Sequence, residues 1–145
     1  MKDYKALALT IIQYSTLVLM MWEMPWFNSN IFLIVIELFG FTIAALALLE
    51  MNKSKINISP TPREGAFLVQ TGVYSKIRHP MYTSLLLIFI PILITNYSEL
   101  NLIIFMVFFI NIILKLTYEE SLLKSFFSDY EAYTLKTNRI IPFIY

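Results

Sequence analysis

Hydrophobic residues fall into four long runs, Ala6 to Trp22, Ile31 to Leu49, Met81 to Thr95 and Leu100 to Leu116, separated by polar segments of unequal length. A helix needs about 20 apolar residues to cross a hydrocarbon core about 30 Å thick, so each run predicts a membrane-embedded helix. The third run is short and contains Pro91, which predicts a kink or a crossing completed by the segment before it. Beyond the fourth run, Leu116, Leu122, Leu123, Phe126, Phe127, Tyr130 and Tyr133 keep a helical spacing without glycine or proline. That pattern predicts a C-terminal amphipathic helix, lying along the membrane surface or folded back on the central loop. The expected fold is an all-α integral membrane protein, with a transmembrane hairpin over residues 1–51 and a second region over 52–145.

Composition agrees with that solvent. Of 145 residues, 58% are hydrophobic and 14% charged, and the mean hydropathy is +0.67; a water-soluble domain carries roughly 25% charged residues. There is no cysteine, which excludes disulfides, thiolate nucleophiles and cysteine-based metal sites, and no metal is expected. Lys2 and Lys5 ahead of the first run suggest a signal peptide, but Trp22-Glu23-Met24-Pro25-Trp26 is not a small-residue cleavage site, so a retained anchor is expected. Trp22, Trp26 and Tyr97 stand at run ends, where interfacial aromatics collect. All 11 Lys and Arg lie before the first run, between the second and third, or at and after the end of the fourth. The positive-inside rule therefore puts both termini and the long loop, about Asn52 to Pro80, in the cytoplasm. Within that loop Ser59-Pro60-Thr61-Pro62 predicts an extended entry, and Gly65 and Gly72 bracket the apolar patch Ala66-Phe67-Leu68-Val69.

Reactive side chains concentrate in two places. Gly72-Val73-Tyr74-Ser75-Lys76-Ile77-Arg78-His79-Pro80-Met81-Tyr82 holds the single histidine beside an arginine at a helix entry, with Pro80 suited to the first helical turn. Free N–H groups there, with Arg78 and His79, suit a carboxylate or other anion; the same residues also suit a plain membrane-interface anchor. The second place is Lys115, Glu119 and Glu120. Lys115 and Glu119 share a helix face, whereas Glu120 is turned by about 100°. An ordinary helical ion pair is the simpler reading of the first two. Glu37, inside the second run, is a carboxylate at membrane depth, which calls for a partner, a cavity or protonation.

These residues carry a resemblance. Leu68-Val69-x-x-Gly72-x-Tyr74-x-x-x-Arg78-His79-Pro80-x-Tyr82, then Glu119-Glu120-x-x-Leu123, Tyr130-x-x-Tyr133 and Arg139-Ile140-Ile141-Pro142, resemble the isoprenylcysteine carboxyl methyltransferase family over about Pro60 to Phe143. Phospholipid N-methyltransferases share the Arg-His-Pro-x-Tyr and paired-glutamate character. The first two helices carry no motif. The resemblance implies methyl transfer from S-adenosylmethionine at the cytoplasmic end of a helical bundle without a Rossmann domain. By position it implies a cofactor pocket of Phe67, Leu68, Val69, Tyr74, His79, Pro80, Met81, Tyr82 and Glu119, a catalytic group of Arg78, His79 and Glu120, and Lys115 facing the substrate. Lys115 stands where close relatives place an arginine, offering a point charge in place of a bidentate fork, and Ser84 where relatives often have glycine.

The expected function is methylation of a lipid-like small molecule, with carboxyl O-methylation of a prenylated substrate ahead of phospholipid amine N-methylation. An NADPH-dependent membrane reductase and a non-catalytic membrane adaptor are the readings from other classes. No nucleic-acid partner and no obligate protein partner are expected. The charge pattern makes a direct prediction: reporter fusions at Lys55 and Tyr145 both read cytoplasmic and a fusion at Ser29 reads external, whereas opposite signals from the first two defeat the four-helix topology.

Overall fold

The computed structural model describes residues 3–25, 29–54 and 67–141. Trp26, the extended entry at 59–62, Gly65 and Pro142 lie outside the described residues. The elements are α1 (Tyr4–Glu23), α2 (Ile31–Met51), a 3-10 turn (Gly72–Ser75), α3 (Pro80–Thr95), α4 (Glu99–Phe126) and α5 (Tyr130–Thr134). No strand occurs among the described residues, so the fold is all-α, as the hydrophobic runs predict.

Each long helix starts where its sequence supplies a cap. Asp3 accepts from Ala6 N at 3.0 Å, Asn30 from Phe32 N at 3.0 Å and Ser98 from Asn101 N at 3.1 Å, so each satisfies an N–H with no partner inside its helix. α3 opens on Pro80 instead, a residue with no N–H to satisfy. Three helices, α1, α2 and α4, are long and apolar enough to cross a membrane. α3 has 16 residues, about 24 Å of helix against a hydrocarbon core of about 30 Å. It is the most enclosed helix nonetheless: ten of its residues are buried, Pro91 among them.

Around an apolar core, the helices expose long apolar faces and bury several polar side chains. α2 buries only Glu37, Gly40, Ile43 and Ala47, a single stripe, while Phe32, Val35, Leu38, Phe39 and Leu49 face outward. α1 likewise buries Gln13 and Thr16, and α4 buries Asn101, Asn111 and Lys115. Apolar side chains cost nothing against lipid, whereas polar ones are satisfied between helices, so this arrangement is what a bilayer selects.

α1 lies along α4, and α2 along α3. The main core joins Met20 of α1 and Met24 just beyond it, Leu86, Phe89 and Ile92 of α3, and Phe108, Ile112 and Leu116 of α4, with Ile140 of the tail at one end. α2 comes close to α3 at Gly40, where an added Cβ would lie 2.9 Å from Ile88 Cγ1 and 3.1 Å from the Ser84 carbonyl. Ser84 turns its hydroxyl back onto the Met81 carbonyl at 2.7 Å and so adds no bulk to that contact.

The helical pattern past the fourth run divides in two. α4 continues to Phe126, and after a turn α5 adds five residues. The chain then leaves helix because its backbone finds better partners on the segment before α3: Arg78 N donates to Asn138 O at 2.8 Å, Asn138 N to Lys76 O at 3.0 Å and His79 N to Arg139 O at 3.0 Å. Of the two placements expected for the tail, it takes the fold back onto the loop.

Gly40 gives the packing test. Gly40→Leu forces α2 off α3, an overpacking worth about 1–3 kcal/mol, and lowers the thermal midpoint of detergent-solubilised protein by at least about 5 °C. The lipid-facing control Phe39→Leu changes it by less than about 2 °C.

Candidate active site

His79 is the centre of the site. The pairing of residues 76–79 with the tail fixes its backbone, and the start of α3 at Pro80 turns its side chain inward, where it is buried. The ring stacks on Tyr82 with centroids 5.6 Å apart. Nδ1 lies 3.6 Å from Glu119 Oε2. Nε2 lies 3.4 Å from Glu120 Oε1, a charge contact without the alignment of a hydrogen bond.

The adjacent glutamates face different ways, as helix geometry requires. Glu119 accepts a hydrogen bond from the Tyr82 hydroxyl at 2.6 Å and lines a cavity of about 380 Å³. Glu120 does not line it. Its Oε1 accepts from Arg78 Nε at 2.8 Å and its Oε2 from Arg139 Nε at 2.9 Å, on the side of a second, polar cleft that Lys124 and Glu131 also line. Arg78 further donates Nη1 to the carbonyls of Thr134 and Thr137, which ties the tail to α3 and α4.

Every element of the bundle contributes to the cavity. Leu68, Val69, Tyr74, Arg78, His79, Met81, Tyr82, Lys115 and Glu119, all expected at a site, line it together. Phe67 does not: its side chain is half exposed, and its backbone is clamped by Ser54, whose Oγ donates to Phe67 O at 2.7 Å and accepts from Phe67 N at 3.2 Å. Pro80 is also absent from the wall, buried beneath the first turn of α3. The approach to Tyr74 depends on Gly72, which holds φ +57° with an added Cβ 2.8 Å from Glu50; Glu50 in turn accepts from Thr71 Oγ1 at 2.5 Å.

Sequence reasoning missed Gln13 and Tyr14 of α1, Leu48 and Met51 of α2, and Leu85 of α3, all on the cavity wall. Only Gln13 carries a signal, as an amide inside an apolar run. It accepts from Lys115 Nζ at 2.6 Å, and both side chains are buried. Lys115 thus pairs with an amide from the first helix and not with Glu119, one turn along its own helix.

Burial pushes the phenols of Tyr74, Tyr130 and Tyr133 well above the usual tyrosine range, so all three are neutral donors at physiological pH. The Tyr133 hydroxyl donates to Tyr74 O at 2.7 Å, while that of Tyr130 has no partner within the protein. The wall therefore offers one carboxylate, Glu119, and two cations, Arg78 and Lys115, set in apolar and aromatic surroundings. No group of three or more potential metal ligands occurs among the described residues.

A family model described as "Phospholipid methyltransferase" matches residues 38–130, more than half of the chain. The match takes in α2 from Leu38 onward, the His79 turn and both glutamates, and leaves α1 and Arg139 outside. No curated protein and no solved structure matches the chain.

The arrangement separates the two glutamates by stability. Glu120→Gln leaves two guanidiniums without their counter-charge, and it lowers the thermal midpoint by at least about 5 °C. Glu119→Gln keeps an acceptor for the Tyr82 hydroxyl and lowers it by less than about 2 °C, as a parallel melt of the two variants measures.

Proposed function

The chain belongs to the phospholipid methyltransferase family, and from that premise we propose that it transfers a methyl group from S-adenosylmethionine to a lipid-like acceptor at the cytoplasmic face of a membrane. The observation that carries this reading is the cavity of about 380 Å³ that joins Glu119, His79, Tyr82 and Lys115. That volume lies within the roughly 300–1,000 Å³ of small-molecule and cofactor sites.

The donor set suits the cofactor. Glu119 would hold its ammonium and the Arg78 guanidinium on the wall its carboxylate; Leu68, Val69, Tyr74 and Met81 offer an apolar slot for adenine. When bound, the cofactor supplies a sulfonium methyl group whose bond to sulfur breaks, leaving its electron pair on sulfur, as an acceptor lone pair bonds to the carbon. The chain's own task is alignment and exclusion of water, and it needs no covalent nucleophile. Glu120, outside the cavity wall, acts in this reading as a positioning residue through Arg78 and His79.

Lys115 on the wall favours carboxyl O-methylation, because a carboxylate acceptor is already ionised and seeks a cation. The family's description favours the second reading, methylation of a phospholipid amine, in which the acceptor must first lose a proton and His79 is the base within reach of the cavity. A membrane reductase has no support from the family match.

Titration of detergent-solubilised protein with S-adenosylhomocysteine and with NADPH tests the cofactor; binding of NADPH alone sinks the proposal. Glu119→Gln raises the dissociation constant for S-adenosylhomocysteine by at least about tenfold, and Glu120→Gln changes it by less than about threefold in the folded fraction. Equal losses would mean that the cofactor's ammonium lies elsewhere.

A further inference from the structure

Lys115 is a cation held in an unusual way. Its side chain is buried on α4, and it takes part in none of the ion pairs among the described residues. Its Nζ donates to Gln13 Oε1 at 2.6 Å, with the Tyr82 ring centroid 5.9 Å away. A buried charge is normally cancelled by an opposite one. A neutral amide fixes the direction of the ammonium and leaves its charge intact.

Gln13 is itself firmly presented. One turn away Asn111 Nδ2 donates to Leu9 O at 3.1 Å, and toward the helix start the Tyr118 hydroxyl donates to Asp3 Oδ2 at 2.6 Å. These two bonds set the register of α1 on α4 independently of Gln13. Gln13 and Lys115 both stand on the cavity wall with Glu119, whose charge acts on Lys115 without an ion-pair contact, so the ammonium faces the space a ligand would occupy.

We propose that Gln13 is a specificity-determining positioning residue, which aims Lys115 into the cavity as the receptor for an anionic group on the methyl acceptor. This rests on the methyltransferase reading and deepens it. The anion is either a carboxylate that is itself methylated or a phosphate beside a headgroup amine; both require a cation that no protein carboxylate has already neutralised. A glutamate at position 13 would pair with Lys115 and close the receptor.

The test uses the full chain in phosphatidylcholine vesicles, as wild type, Gln13→Glu and Gln13→Met, with a prenylated carboxylic acid and with phosphatidylethanolamine as acceptors. Gln13→Glu raises KM for whichever acceptor is methylated by at least about tenfold, with kcat lowered less than about threefold and S-adenosylhomocysteine affinity within about twofold of wild type. Gln13→Met, which removes the guide and keeps the charge, raises KM by about threefold. The methylated acceptor identifies the source of the anion. An unchanged KM in Gln13→Glu, or a loss confined to S-adenosylhomocysteine affinity, overturns the assignment and leaves methyl transfer standing. Cofactor binding without transfer to either acceptor also overturns it. Failure of the wild-type chain to bind cofactor at all overturns the methyltransferase reading and this inference with it. If Gln13→Glu does not fold, an unchanged KM in Gln13→Met overturns the assignment in its place.

Discussion

Glu120 joins three segments that the chain keeps far apart. Arg78 reaches one of its oxygens from the entry to α3 and Arg139 the other from the tail, while Glu120 itself rides on the far end of α4. Two guanidiniums on one carboxylate offset the desolvation of all three groups, which neither pair would do as well alone. The consequence is geometric. Arg78, anchored by Glu120, binds the carbonyls of Thr134 and Thr137, and the backbone of residues 76–79 pairs with residues 138 and 139. Tyr130 and Tyr133 are thereby held over the cavity, and His79 is set between two carboxylates of which only Glu119 faces the cavity. The cluster outside the cavity wall fixes the positions of the groups inside it.

The bilayer imposes the second constraint. With lipid as solvent, α1, α2 and α4 gain nothing from turning apolar faces inward, so association depends on close contact and on polar groups that must be satisfied between helices. Gly40 against Ser84 and Ile88 supplies the first for α2 and α3. Asn111 and Lys115, bonded to Leu9 and Gln13, supply the second for α1 and α4. The buried polar residues of α1 and α4 therefore serve as structural fasteners, and Lys115 serves in the cavity as well.

What could be read from the sequence follows from which signals are local. The four apolar runs became helices because length, capping residues and hydrophobicity are properties of contiguous segments. Pro80 marked the start of α3 by the same logic, and the different directions of Glu119 and Glu120 follow from adjacent positions on one helix. The contributions of Gln13, Tyr14, Leu48 and Met51 were not legible, because nothing within α1 or α2 states which partner helix each will face. Lys115 and Gln13 are 102 residues apart, and local spacing offered Glu119 as the nearer partner. Phe67 is the opposite case: it sits in the motif-bearing stretch, and the Ser54 clamp engages its backbone while its side chain lies outside the cavity wall. The end of helical structure after α5 was equally hidden, since the backbone partners that compete for residues 138 and 139 lie some sixty residues earlier.

The distribution of charge ties these strands together. On the Glu120 side, two guanidiniums share one carboxylate, and of that cluster only Arg78 also reaches the cavity wall. On the cavity side Glu119 and Lys115 make their shortest bonds with neutral partners: Glu119 accepts from the Tyr82 hydroxyl and Lys115 donates to the Gln13 amide. Each is oriented without being neutralised, and they do not form an ion pair with each other. In a low-dielectric pocket an oriented, uncancelled charge of each sign discriminates strongly among ligands, because a ligand without the complementary charges leaves both groups desolvated and unmatched. A site that must hold an ammonium-bearing donor beside an anionic acceptor needs that pairing of opposite charges kept apart, and the hydroxyl and amide partners are what keep them so.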